Sequence, residues 1–215
     1  MNLKQHITVK SRLFLGIGMI VFGVLFPRFA SCITLKAGVD YDIVKPSSLS
    51  MHTNTKTEIV EFFSFSCIHC AHLEPLLDSW VTANKDKVIL DKIQVVWQNN
   101  FVEYGKLNAT IQSLQLGDQL NQKVFNAVLV QKRDLQNMDQ LKQFLIQNHV
   151  NLDTFMQSYN SFTVAARAKE YETLTKDYNI LATPTFIVDG KYMTKPATPE
   201  RLLQVLQALV NQAKR

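Results

Sequence analysis

One stretch constrains this chain more than any other: Glu61-Phe62-Phe63-Ser64-Phe65-Ser66-Cys67-Ile68-His69-Cys70. An apolar, aromatic-rich run of strand character ends directly at two cysteines separated by two residues, and a segment of helical character follows. That order places Cys67 at a helix start and Cys70 one turn along the same face. Unpaired backbone N–H groups and the helix dipole stabilise a thiolate at such a position, so the spacing points to redox chemistry at Cys67. The competing use of paired cysteines is structural zinc. It needs two further ligands, and no second cysteine pair exists. His69 and His72 would have to converge on one ion from within a single short stretch of helix, which is poor geometry.

The leader bears on the chemistry. Lys4, Lys10 and Arg12 precede an uncharged stretch from Leu13 to Pro27, followed by Ala30 and Ser31, the charged-then-apolar pattern of an export signal over residues 1–31. Cys32 stands where processing would occur. Phe29-Ala30-Ser31-Cys32 looks like a bacterial lipoprotein processing box with Phe in place of the usual Leu. Two outcomes stay open: acylation of Cys32, giving a lipid anchor, or cleavage at or near Cys32 without lipid. Removing the leader takes away four positive charges and no negative ones, so the formal net charge of +5 falls to +1. Basicity therefore gives no reason to expect nucleic-acid binding. Export also leaves only Cys67 and Cys70 in the folded part, in a compartment where disulfides persist. A disulfide closing so small a loop is a working group rather than a brace.

At 215 residues and 47% apolar content the chain can bury one sizeable core. Tyr41 to Val44 reads as a short edge strand stopped by Pro46, and 47–55 as loop. Lys56 to Ser64 is too continuously apolar for a surface strand and is expected at the centre of a sheet. Glu61 stands inside it, six residues before Cys67. It either lies on a partly wet face or passes a proton to and from Cys70. Leu73, Leu76, Leu77, Trp80 and Val81 recur at helical spacing, with Pro75 expected to kink that helix. Val88 to Trp97 contains the next strand, best placed at Lys92 to Trp97. From Phe101 to Leu152 helical patterns follow one another (Tyr104 to Leu116, Leu120 to Gln131, Met138 to Asn148), separated by turns around Gly117-Asp118 and Arg133-Asp134. Further helices are expected over Asp153 to Tyr159 and Thr163 to Tyr178. The Asp189-Gly190 turn joins Thr185 to Val188 and Lys191 to Thr194 as a hairpin, and Pro199 to Ala213 closes the chain as an amphipathic helix. Thr183-Pro184 precedes the hairpin; a trans peptide is the base-rate expectation, while a cis bond would offer the Thr183 backbone to a visiting chain.

These blocks together resemble the DsbA family of bacterial thiol-disulfide oxidoreductases. The active-site block Glu61 to Cys70, the segment Tyr41-Asp42-Ile43-Val44-Lys45-Pro46 and the segment Thr183 to Tyr192 occur in the family's order. The resemblance implies an α/β thioredoxin-like fold, its two parts at 33–100 and 163–215, with an all-helical domain inserted at 101–162. It implies that Cys67 is the attacking cysteine, Cys70 its buried partner, that His69 favours the thiolate, and that Thr183-Pro184 is a cis-proline loop that grips substrate. Ile68 departs from the proline common in the family, which bears on redox poise. The implied activity is donation of the Cys67–Cys70 disulfide to reduced or unfolded exported proteins in the periplasm of a Gram-negative bacterium. Reoxidation by a DsbB-like membrane protein is expected, and no cofactor or metal. A reductase or isomerase using the same cysteines, and a redox-inert chaperone-like binding module, are the alternatives.

Overall fold

The computed structural model describes residues 33–45 and 55–213. The leader, Cys32 and Pro46 lie outside them. Five strands form one sheet in the order β1-β5-β4-β2-β3, comprising β1 (Tyr41–Ile43), β2 (Thr57–Phe63), β3 (Val88–Gln94), β4 (Thr185–Val188) and β5 (Tyr192–Thr194). β2 is central, parallel to β3 and antiparallel to β4, as its unbroken apolar character requires.

Alternation along β2 sorts its side chains onto two faces. Ile59 joins Phe186, Val188, Leu73, Leu77 and the apolar stripe of the last helix, whereas Val60 and Phe62 pack with Ile187, Tyr171, Leu174 and Tyr178 on the other side. The first face is covered by α1 (Ile68–Ala83) and α7 (Pro199–Ala213), the second by α6 (Phe162–Asp177). Glu61 shares its parity with Ile59 and Phe63, so it points beneath α1. α1 runs through Pro75 as one helix.

Between β3 and α6 stand α2 (Val102–Ser113), α3 (Gly117–Phe125), a π-helical turn (Asn126–Val130), α4 (Met138–Gln147) and α5 (Leu152–Tyr159). Their apolar sides close on Phe63, Phe65 and Cys70, which places this helical layer directly against the cysteine turn. Phe65 meets Phe63 and Phe125 edge-on, with ring centroids 4.9 and 5.3 Å away.

Three boundaries differ from expectation. β3 is Val88–Gln94 instead of Lys92 to Trp97. It pairs from Thr57↔Val88 to Phe63↔Gln94, and Val95 and Val96 leave the sheet to pack towards α6. Gly117 starts α3; the preceding turn is at Leu114–Leu116, where Gln115 takes a left-handed conformation at φ 55°. The second hairpin strand begins at Tyr192, because Lys191 belongs to the turn and Gly190 supplies its positive φ of 62°.

Candidate active site

Cys67 is the N-cap residue of α1, with extended backbone (φ −99°, ψ 115°), and its carbonyl accepts the first helical hydrogen bond from Ala71 N–H at 3.1 Å. A sulfur replaces the serine or aspartate oxygen common at this position. The turn leading to it is fixed by three bonds. Phe65 N–H donates to Gln94 Oε1 at 2.9 Å, Ser66 N–H to Ser64 Oγ at 3.2 Å and Cys67 N–H to the Ser64 carbonyl at 2.9 Å. Cys67 is half-buried, Cys70 fully buried, and both are free thiols.

The two sulfurs have opposite electrostatic characters. The Cys67 pKa is lowered from its ordinary 9.0 to about 5. The main cause is the hydrogen bond from the Cys70 thiol, opposed by burial and assisted by the Thr183 hydroxyl and the N–H groups of Cys70 and His69. Burial first, then the hydrogen bond with Cys67 and the charges of Glu61 and Cys67, push the Cys70 thiol far up. At neutral pH the pair is therefore one thiolate, on Cys67, and one thiol, on Cys70, hydrogen-bonded to it.

Thr183 faces the reactive sulfur from the opposite loop. Its carbonyl accepts from Cys67 Sγ at 3.3 Å, and its side-chain hydroxyl is among the groups that lower the Cys67 pKa. The Thr183-Pro184 bond is cis. Pro184 is buried and, with His69, Leu73, Thr198 and Leu202, lines a cavity of about 280 Å³ beside the cysteines. His69 is exposed at the mouth of this cavity, and its backbone N–H is among the groups that lower the Cys67 pKa.

Glu61 is 0% exposed and sits directly opposite Lys92 in the β2–β3 register, with Lys92 Nζ 3.4 Å from its carboxylate. Lys92 also hydrogen-bonds Glu74, which is 1% exposed on α1. Glu61 and Glu74 therefore share one cation. Burial drives the Glu61 pKa up to about 7, against Lys92 and with the help of Glu74 and Asp78. Its carboxylate oxygens have no well-formed hydrogen bond. Since the Glu61 charge raises the Cys70 pKa, the two groups compete for protons, the coupling a proton relay requires.

Glu74, Lys92 and Gln94 were not identified from the sequence. A signal existed for the first: Glu74 lies four residues after Cys70, on the same buried helix face. Lys92 could have been found as the charge opposite Glu61, but only with the strand register in hand. Among the described residues no group of three His, Cys, Asp or Glu is placed to hold a metal ion, and no helix is long and apolar enough to cross a membrane. Cys32, the candidate lipidation site, lies outside them.

Comparison with known proteins places these features in context. A family model described as Thioredoxin matches residues 52–208. The thiol:disulfide interchange protein DsbA of Burkholderia cepacia is 31% identical over 179 residues, covering 82% of this chain and 84% of that protein. The solved structure of the oxidoreductase NmDsbA1 from N. meningitidis superposes with a TM-score of 0.76 at 32% identity, covering 84% of this chain and 94% of that one. Pseudomonas aeruginosa DsbA, at 24% identity and a TM-score of 0.77, shares the fold over 84% of this chain.

Proposed function

The chain belongs to the thioredoxin family, among its DsbA thiol:disulfide interchange proteins, and from that premise we propose how its own residues divide the work of a protein disulfide oxidoreductase. The observation that carries the reading is the opposed pair: Cys67 held near pKa 5 at a helix N-terminus and Cys70 kept protonated by burial.

In the oxidised protein a substrate thiolate attacks Cys67 Sγ. The Cys67–Cys70 bond breaks, a substrate–Cys67 disulfide forms, and Cys70 leaves as a thiolate that is protonated at once. Glu61, titrating near neutrality beneath the cysteines, is the group assigned to supply that proton. A second substrate thiolate attacks the substrate sulfur of the mixed disulfide, and Cys67 departs as a stabilised thiolate. The substrate loses two electrons and two protons. The cysteine pair gains the electrons, Cys70 retains one proton and the other goes to solvent. A low-pKa leaving group makes the last step favourable, which selects donation of disulfides over their reduction. The Thr183 backbone and the Pro184 loop hold the incoming chain against Cys67 by strand-like pairing.

The substrates assigned are reduced or unfolded exported proteins, and a DsbB-like membrane partner removes the electrons. The site of action is the periplasm, with Cys32 either lipidated or simply the processed terminus. A reduced, unfolded disulfide protein mixed with the oxidised enzyme tests the reading. Wild type transfers its disulfide stoichiometrically, Cys67→Ser transfers none, and Cys70→Ser, charged with a mixed disulfide to a single-cysteine peptide, retains that peptide covalently at Cys67. Equal refolding by wild type and Cys67→Ser contradicts the oxidoreductase reading in favour of a binding module.

A further inference from the structure

Leu181 lies two residues before Thr183, whose carbonyl is 3.3 Å from Cys67 Sγ, and it is 81% exposed. The backbone that carries it is tethered on both sides. Ile180 is buried between the sheet and α6, and its carbonyl accepts from Trp97 Nε1 at 2.6 Å. The Ala182 carbonyl accepts from Thr185 Oγ1 at 2.8 Å. A leucine displayed on a fixed backbone offers apolar surface to an arriving chain at little further cost in ordering. Ile68, the residue after Cys67, is 47% exposed. Apart from the cysteines, His69 is the one titratable side chain in Ser64 to Cys70 and Ile180 to Phe186. These two segments therefore bring one titratable side chain besides the cysteines to the reactive sulfur, and they bring two exposed apolar ones, Ile68 and Leu181.

We infer that Leu181 is a specificity-determining residue of this site, favouring substrate cysteines that have an apolar side chain two positions away. A chain held at the Thr183 backbone through its cysteine reaches Leu181 with a residue two along, since two residues span a similar length, about 7 Å, on either chain. The preference has a physical use. Cysteines destined for folded interiors lie among apolar residues that are open to contact only before folding is complete. The inference rests on the disulfide-donor reading above.

The test compares kcat/KM for two-cysteine peptides that carry leucine, serine or glutamate at both positions two removed from the first cysteine. Wild type is expected to favour the leucine peptide over the glutamate peptide by about five- to tenfold, the factor that partial burial of a leucine supports. Leu181→Met keeps this ratio, and Leu181→Ser brings it to within about twofold of unity. Because the ratio compares peptides on one enzyme, a change in Cys67 reactivity or in folded fraction cancels from it. An unchanged ratio in Leu181→Ser, or no preference in wild type, overturns the inference alone. Failure of wild type to oxidise any of the peptides contradicts the disulfide-donor reading itself, and this inference falls with it.

Discussion

At the scale of residues, function follows from where two groups lose their protons. The shift of Cys67 from 9.0 to about 5 is bounded at about 5 kcal/mol, and screening at a half-buried sulfur reduces its effect to a few kcal/mol. The sign is that of an acid with a depressed pKa. The thiolate stabilises the folded, reduced protein above the unfolded value, and this contribution is lost as pH falls from about 9 towards about 5. Thr183 is one of its supports, so Thr183→Val, which keeps the shape and removes the hydroxyl, should raise the alkylation midpoint of Cys67 by about half a unit to one unit. Glu61 has the opposite sign. Its carboxyl is easier to keep neutral inside the fold, so its charge costs stability as pH rises through about 7. Urea unfolding of reduced Glu61→Gln should show a gain of about 1–3 kcal/mol at pH 8.5 and little change at about pH 4, below the ordinary value of 4.5. The same variant should resolve mixed disulfides through Cys70 more slowly, with a flatter pH profile. Resolution at the parental rate across pH would remove Glu61 from the mechanism.

At the scale of elements, the legible parts of the sequence were those in which residue type and backbone conformation agree. The Phe-rich run ahead of Cys67 could only be a covered strand, and the Asp189-Gly190 turn announced its hairpin. Helix ends were harder to place. α2, α4 and α6 each stop in the same way, with Gln115, His149 and Asn179 at positive φ and the next N–H returning to a carbonyl five residues back. Glycine usually marks such a position; here glutamine and histidine hold two of the three, so residue type gave no warning. His149→Gly should accordingly stabilise the protein by about 0.5–1 kcal/mol in chemical denaturation, without altering Cys67 reactivity. The expected placement of β3 runs past its true end because Val95-Val96-Trp97 has strand-forming residues, while the charged Asp91-Lys92 pair interrupts the apolar run that starts at Val88. The open side of β3 is closed by α2, whose Asn108 and Gln112 amides both donate to the Lys92 carbonyl. α2 reaches α6 through Gly105, where an added Cβ would stand 3.3 Å from Val96 Cγ2 and 3.6 Å from Ala168 Cβ. Gly105→Val should cost about 2–3 kcal/mol by overpacking, read as a lower denaturation midpoint.

At the scale of the molecule, the central strand joins the pieces of the site. β2 delivers Glu61 beneath α1, ends at the turn that presents Cys67, and pairs with β4, which follows directly from Pro184. The cysteine spacing, the loop opposite it and the carboxylate six residues upstream were readable as separate motifs. The Glu61–Lys92–Glu74 arrangement was not, since it joins two strands and a helix through a register that only folding reveals. All the proposed chemistry depends on Cys67 being a thiolate at neutral pH in the folded, reduced protein. A pH titration of alkylation rate at Cys67, with Cys70 replaced by alanine in a parallel sample to assess its hydrogen bond, measures this directly. The account predicts a midpoint of about 5 in the wild type and a higher one in Cys70→Ala; a wild-type midpoint near the ordinary 9.0 would contradict it.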